Sequence, residues 1–224
     1  LFEHATKEEF IKLIRDMTEH NNRELFEQFL YYLILFRDMN NIQSYLNDIA
    51  NFHSNLVTNH KKPDLPIHKL LFLLDLGFDT EIPEIKAAVD EILKHQDEHS
   101  IYQSMTNIPK HFGGAGVNVF SWCLCDAPLL LLALFKAGID YHEYIKPGVD
   151  HLVSLYRDNG FPCAVSPELG KFRGPGKKDD CCPYATLIMA DLLSYIPEYR
   201  DSKVAITIAN ALFDLWENSM QQHP

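Results

Sequence analysis

The chain has 224 residues, 46% of them hydrophobic, and a formal net charge of −11. That apolar share supports a packed core and excludes disorder as the default state, while the negative field disfavours nucleic acid and anionic membranes as general partners. The longest mainly apolar stretch, residues 127–137 with Pro128 and Lys136 in it, is about half of the roughly 20 residues a membrane-crossing helix needs, so no transmembrane segment is predicted.

Helical periodicity begins early. Phe10, Leu13, Ile14 and Met17 recur at i, i+3, i+4 and i+7, one face of a helix. The stretch from Arg23 to Arg37 is apolar on more than one side, which predicts a helix packed between neighbours. A third helix is expected from about Ile42 to Leu56.

A weak repeat follows. Leu70 to Asp79 reads LLFLLDLGFD and Leu131 to Asp140 reads LLALFKAGID, so Gly77 and Gly138 are expected to end helices. Each is followed by a second helical segment, starting at Ile85 and Ile145, with Val89-Asp90 and Val149-Asp150 at matching places. A looser third copy runs from Tyr184 and continues through Val204 to Asn218, where LFDLWEN answers LVSLYRD of the second copy. Three hairpins that cannot bury their apolar faces alone must stack, which predicts an all-α protein of repeated helical hairpins forming a solenoid or an α/α toroid. The expected organisation is one domain, with N-terminal helices over 1–60 and the three repeats over 61–224.

Strand signals are nearly absent, and two segments are too long for simple connectors. One runs from about Ser104 to Phe120 and carries HFGGAGVN; the other runs from Gly160 to Cys182. Within the second, Lys171, Arg173, Lys177 and Lys178 form the only concentrated basic patch, and the glycines among them leave backbone N–H groups free to approach one phosphate or diphosphate. Gly113, Gly114 and Gly116 lack the preceding strand that a dinucleotide fold requires.

The five cysteines, Cys123, Cys125, Cys163, Cys181 and Cys182, are an odd set bunched in the second half, which reads as the reduced thiols of a cytoplasmic protein. The chain does not begin with Met, so a removed targeting segment stays open. Cys123 and Cys125, with Asp126 beside them and His111 upstream, are potential metal ligands, although Cys-x-Cys is not the Cys-x-x-Cys spacing of a structural zinc site. Trp122 and Asp126 alternatively start the next helix, with Pro128 in its first turn. His142 and His151 are read as ordinary polar residues. The aromatic stock, including Phe72, Phe120, Trp122, Phe135, Tyr156, Phe161, Tyr184 and Trp216, suits either packed core or an apolar cavity.

The repeat ends, HLVSLYRDNGF up to Phe161 and the weaker ILKHQDEHSIY, resemble those of the protein prenyltransferase β-subunit and squalene/terpenoid cyclase superfamily over roughly residues 66–218. The resemblance implies an α/α toroid or partial toroid whose inner helices line an apolar cavity. Arg173, Lys177, Asp180, Cys182 and Tyr184 are similar to the prenyltransferase run of Arg, Lys, Asp-x-Cys and aromatic. By that resemblance Asp180 and Cys182 would bind catalytic zinc, and Arg173, Lys177, Lys178 and Tyr184 would hold an isoprenyl diphosphate or another apolar substrate. Zinc would favour a substrate thiolate, and fixed cations would stabilise the leaving diphosphate. No histidine follows Cys182 before His223 to complete the zinc set, and the Asp-x-Asp-Asp acid motif of the cyclases is missing.

Two other readings stand beside it. Asp180 and Cys182 are read more simply as an N-cap acid and a buried thiol at the start of the Tyr184 helix. For the whole chain the alternative is a non-catalytic helical-repeat scaffold that binds another protein along its concave face and, ranked last, an α/α-barrel carbohydrate enzyme with Glu168, Asp179 and Asp180 as its acids.

Overall fold

Among the described residues, proline opens five of the seven α-helices and glycine closes two. The computed structural model describes residues 39–52, 62–174 and 177–218, so the helices expected around Phe10–Met17 and Arg23–Arg37 lie outside the described residues. The chain divides into two compact units, Leu1–Ser44 and Tyr45–Pro224. Helix α1, Met39–Ile49, crosses that division, and everything below concerns the second unit.

In chain order the second unit continues with α2 (Pro66–Asp75), α3 (Pro83–Leu93), β1 (Ser104–Thr106), β2 (Val119–Ser121), α4 (Ala127–Lys136), α5 (Lys146–Ser154), α6 (Pro183–Ser194) and α7 (Lys203–Glu217). Pro66, Pro83, Pro128, Pro147 and Pro183 occupy first-turn positions, where a missing N–H costs nothing and a fixed φ favours entry. At the other end, Gly77 (φ 84°) and Gly138 (φ 78°) adopt the left-handed conformation. Each donates its own N–H back into the helix, at 3.0 and 3.1 Å, and the following residue donates to the carbonyl five positions earlier, Phe78 to Leu73 and Ile139 to Leu134, both at 3.1 Å. This is the Schellman stop that the two matching Gly-apolar-Asp endings predict.

α2 packs on α4, α4 on α6 and α6 on α7. α4 is the centre of this row, with every residue from Ala127 to Leu134 buried, as its all-round apolar sequence requires. The second helices keep their repeat register. Ile85 and Ile145 are buried, as are Val89 and Val149, and Ile92 and Leu152. On the exposed side Lys86 reaches Asp90 at 2.6 Å and Lys146 reaches Asp150 at 3.2 Å. Each copy then turns on a short bridge, Gln96 with Tyr102 and Arg157 with Gly160, and delivers a fully buried aromatic, Tyr102 or Phe161.

The all-α expectation fails between the first and second copies. β1 and β2 pair antiparallel, Ser104 with Ser121, Met105 with Phe120 and Thr106 with Val119, so the protein is mixed α and β and not an α/α toroid or partial toroid. The segment expected to be a long loop is a β-hairpin whose strands have three residues each, too short for alternation to show in the sequence.

Candidate functional site

The two long connectors are packed against each other. Leu124 donates its N–H to the Ala164 carbonyl at 2.8 Å, Ser166 donates to Trp122 at 2.9 Å, and Cys123 and Val165 form an antiparallel bridge. Further along, Lys171 N–H donates to the Gly113 carbonyl at 3.0 Å. Ile108, Cys123 and Leu169 form a small core beneath this seam, with Val119, Cys125, Val165 and Phe172 packed on it. The second connector is also closed on itself, Cys182 donating its N–H to the Phe161 carbonyl at 2.6 Å. Residues distant in sequence are thereby gathered at one place, at the entry to α4 and α6.

The gathered groups are thiols. The side chains of Cys125 and Cys182 hydrogen-bond to each other, and that contact, followed by burial, pushes the Cys125 thiol up from its ordinary range. Burial raises Cys123 well above the usual value, with Asp126 and Cys163 adding to it. Cys163 is also raised by burial, while its sulfur accepts the Gly174 N–H at 3.0 Å. Tyr184 lies half-buried beside them, its phenol pushed up by burial first and then by Cys125 and Asp126. Such protonated thiols are packing groups and poor metal donors until deprotonated. Among the described residues, no group of three or more His, Cys, Asp or Glu side chains is placed to hold a metal ion.

The residues singled out from the sequence divide between two settings. Asp180 is exposed and accepts the Lys177 N–H at 2.7 Å, closing one surface turn, while the Lys178 carbonyl accepts a bond from Arg157 at 3.0 Å. Arg173, Lys177 and Lys178 are exposed. Cys182 is the N-cap of α6, its sulfur accepting the Ala185 N–H at 3.5 Å, with Pro183 in the first turn. The helix cap is therefore the thiol, and Asp180 caps a turn before it. Asp180 and Cys182 are engaged with different partners, and Tyr184 faces Cys125 and Asp126. Glu168, Asp179 and Asp180 are all exposed.

The remaining candidates have structural work. Asp126, 4% exposed, accepts the Cys123 N–H at 2.8 Å and fixes the turn before α4. His111 lies against Phe112 on a single 3-10 turn, Lys110–Phe112. A side chain on Gly114 would collide with Ile108, so that glycine permits close packing of the hairpin. His142 packs edge-on against Tyr141. His151 stacks on His99 with ring centroids 4.2 Å apart and meets Trp122, whose indole N–H donates to Asp97 at 2.7 Å. Burial, then His99, lowers the His151 pKa.

Sequence reasoning missed a second feature, on α7. Ile206, Phe213 and Trp216 are 58%, 66% and 81% exposed. At about 100° per residue they lie, with Ala209, within about 80° of arc on the outer face of the helix. Lys203, Asn210, Asp214 and Glu217 border them, all exposed. The signal was present in the aligned copies: Phe213 and Trp216 stand where the second copy has Val153 and Tyr156, and Ile206 stands where it has Lys146. Val153 and Tyr156 are half-buried.

Compared with known protein families, with curated proteins and with solved structures, the chain matches none. No helix among the described residues is long and apolar enough to cross a membrane.

Proposed function

We propose that this chain is a non-catalytic helical-repeat scaffold that binds a helix of another protein along the outer face of α7. The observation that carries this is the exposed stripe Ile206–Phe213–Trp216 at helical spacing. Exposed apolar residues scattered singly need no explanation; an aromatic pair aligned with an aliphatic residue on one helix face is the form of a helix-binding surface. The exposed positions of α3 and α5 carry instead Pro83, Lys86, Ala87 and Asp90, and Pro147, Asp150 and Ser154. Stacked repeats end on a polar face when nothing further packs on them. The third copy breaks that rule.

The occupant is an amphipathic helix whose apolar side is flanked by basic residues. Asp214 and Glu217 edge the stripe and the chain carries a net charge of −11, which opposes a second copy and favours a cationic partner. The isoprenyl diphosphate and zinc reading has less support: its basic residues are exposed, its Asp180 closes a turn, and its Cys182 pairs with Cys125.

The test is calorimetric titration of the full chain with a designed helical peptide bearing leucines on one face and lysines beside them, and with its glutamate counterpart. The lysine peptide is expected to bind and the glutamate peptide not to. Trp216→Ser is expected to weaken binding about 30-fold, the loss of one aromatic anchor. Equal binding of both peptides, or no binding of either, overturns the proposal; a complex that forms without peptide and grows with protein concentration assigns the face to a second copy.

A further inference from the structure

We infer that Cys125 and Cys182 are a redox-sensitive pair that a peroxide oxidises to a disulfide linking the entry of α4 to the first turn of α6. Leu124 is held to Ala164 and Cys123 to Val165, the second connector is closed on itself by Cys182 bonding to Phe161, and the side chain of Cys182 is the hydrogen-bonding neighbour of the Cys125 thiol. Both residues are half-buried, and neither is in a disulfide. The asymmetry between them sets the order of events. The Ala185 N–H donates to the Cys182 sulfur and favours its anion, whereas the Cys125 thiol, pushed up by its contact with Cys182 and by burial, is the group that keeps its proton.

The chemistry balances with a peroxide as the sole co-reactant. The Cys182 thiolate attacks one peroxide oxygen, the O–O bond breaks, and the other oxygen leaves as water or an alcohol after taking up a proton. The resulting sulfenic acid is attacked by the Cys125 sulfur, whose proton leaves with the sulfenic oxygen as a second water. Each sulfur is oxidised by one electron and the peroxide is reduced by two. The other thiols are less suited. Cys123 is only 2% exposed. Cys163 is held by Gly174, and Cys181 adjoins Cys182, where a bond between chain neighbours closes a strained ring.

α4 and α6 are packed neighbours in the central row, so the bond joins the starts of two elements already in contact and fixes the seam over them. It closes a loop of roughly 57 residues, a constraint on the unfolded chain that is expected to raise Tm by about 10 °C.

The experiment exposes the full-length reduced chain to hydrogen peroxide under native conditions, blocks remaining thiols, and maps linked peptides by mass spectrometry alongside the melting temperature. The expected result is a Cys125–Cys182 linkage, with a Tm rise that dithiothreitol reverses. In Cys125→Ser the reaction is expected to stop at a sulfenic acid on Cys182 that dimedone captures. A Cys181–Cys182 or Cys123–Cys163 linkage, over-oxidation without a linkage, or no oxidation overturns the inference. Capture of the sulfenic acid on Cys125 in Cys182→Ser, with none on Cys182 in Cys125→Ser, overturns the assigned order. The mapping uses the unaltered chain, so it stands even if a variant fails to fold.

Discussion

Gly148 sits in the first turn of α5, directly after Pro147, where helix propensity and packing give opposite signs for an added methyl group. Alanine in place of glycine inside a helix gains about 1 kcal/mol from the backbone alone. A Cβ built on Gly148, however, would lie 2.5 Å from the Ser100 carbonyl oxygen and 3.2 Å from Leu131 Cδ2. The first neighbour is backbone and has little room to retreat. Ser100 (φ 62°) is in the left-handed region, in a turn where the Asp97 carboxylate accepts the N–H groups of His99 and Ile101, each at 2.9 Å. Overpacking costs about 1–3 kcal/mol, and a 2.5 Å approach to a backbone oxygen belongs in the upper part of that range, about 2–3 kcal/mol, so Gly148→Ala is expected to be destabilised by about 1–2 kcal/mol after the helix gain is subtracted. In a chain of this size that lowers Tm by about 2–8 °C. Urea denaturation of both proteins, extrapolated linearly, measures it. An equal or higher stability for Gly148→Ala would mean that the Ser100 turn yields and that the close approach of the first copy to α5 is not a constraint.

Gly138→Ala meets no atom within 4 Å, so its cost is conformational, about 1 kcal/mol for a φ of 78°, and Gly138→Asn is expected to cost less by the same urea measurement. His151 has a lowered pKa in the fold, so between that value and about 6.5 the unfolded chain binds more protons than the folded one, and stability rises with pH across that window. The groups facing it are His99, Asp97 and Trp122; His151→Gln is expected to flatten that part of the stability profile, and an unchanged slope would contradict the stacked arrangement. Asp180→Ala is expected to cost no more than about 1 kcal/mol, since its carboxylate closes an exposed turn and leaves the α6 cap to Cys182, which chemical denaturation checks.

The parts of the fold that were legible are those written in local residues. Pro128 and Pro183 at helix starts, Gly77 and Gly138 at helix ends, and the buried Val89 and Val149 all follow from signals within a few positions. The hairpin of β1 and β2 escaped because three-residue strands have no period, and its partner positions are some 15 residues apart. The pairing of Cys125 with Cys182 escaped because it depends on a seam between two connectors, a contact no spacing rule encodes. The residues of the prenyltransferase-like run are adjacent in sequence, yet Asp180 turns back on Lys177 while Cys182 caps a helix, since a change of backbone direction within two residues is invisible in a motif. On α7 the limit is different: Ile206, Phe213 and Trp216 have the spacing of a core stripe, and periodicity states which face is apolar without stating what covers it.

The helix-binding role of that stripe is tested most directly through the two tryptophans, Trp122 at 5% exposure and Trp216 at 81%. Iodide quenching of their emission, without and with the lysine-flanked peptide, separates them, because only Trp216 is open to the quencher. About half of the emission is expected to be quenchable in the free chain, a proportion set by the two residues, and the peptide is expected to shield it and shift it to shorter wavelength. Emission that stays quenchable at saturating peptide would contradict the helix-binding role.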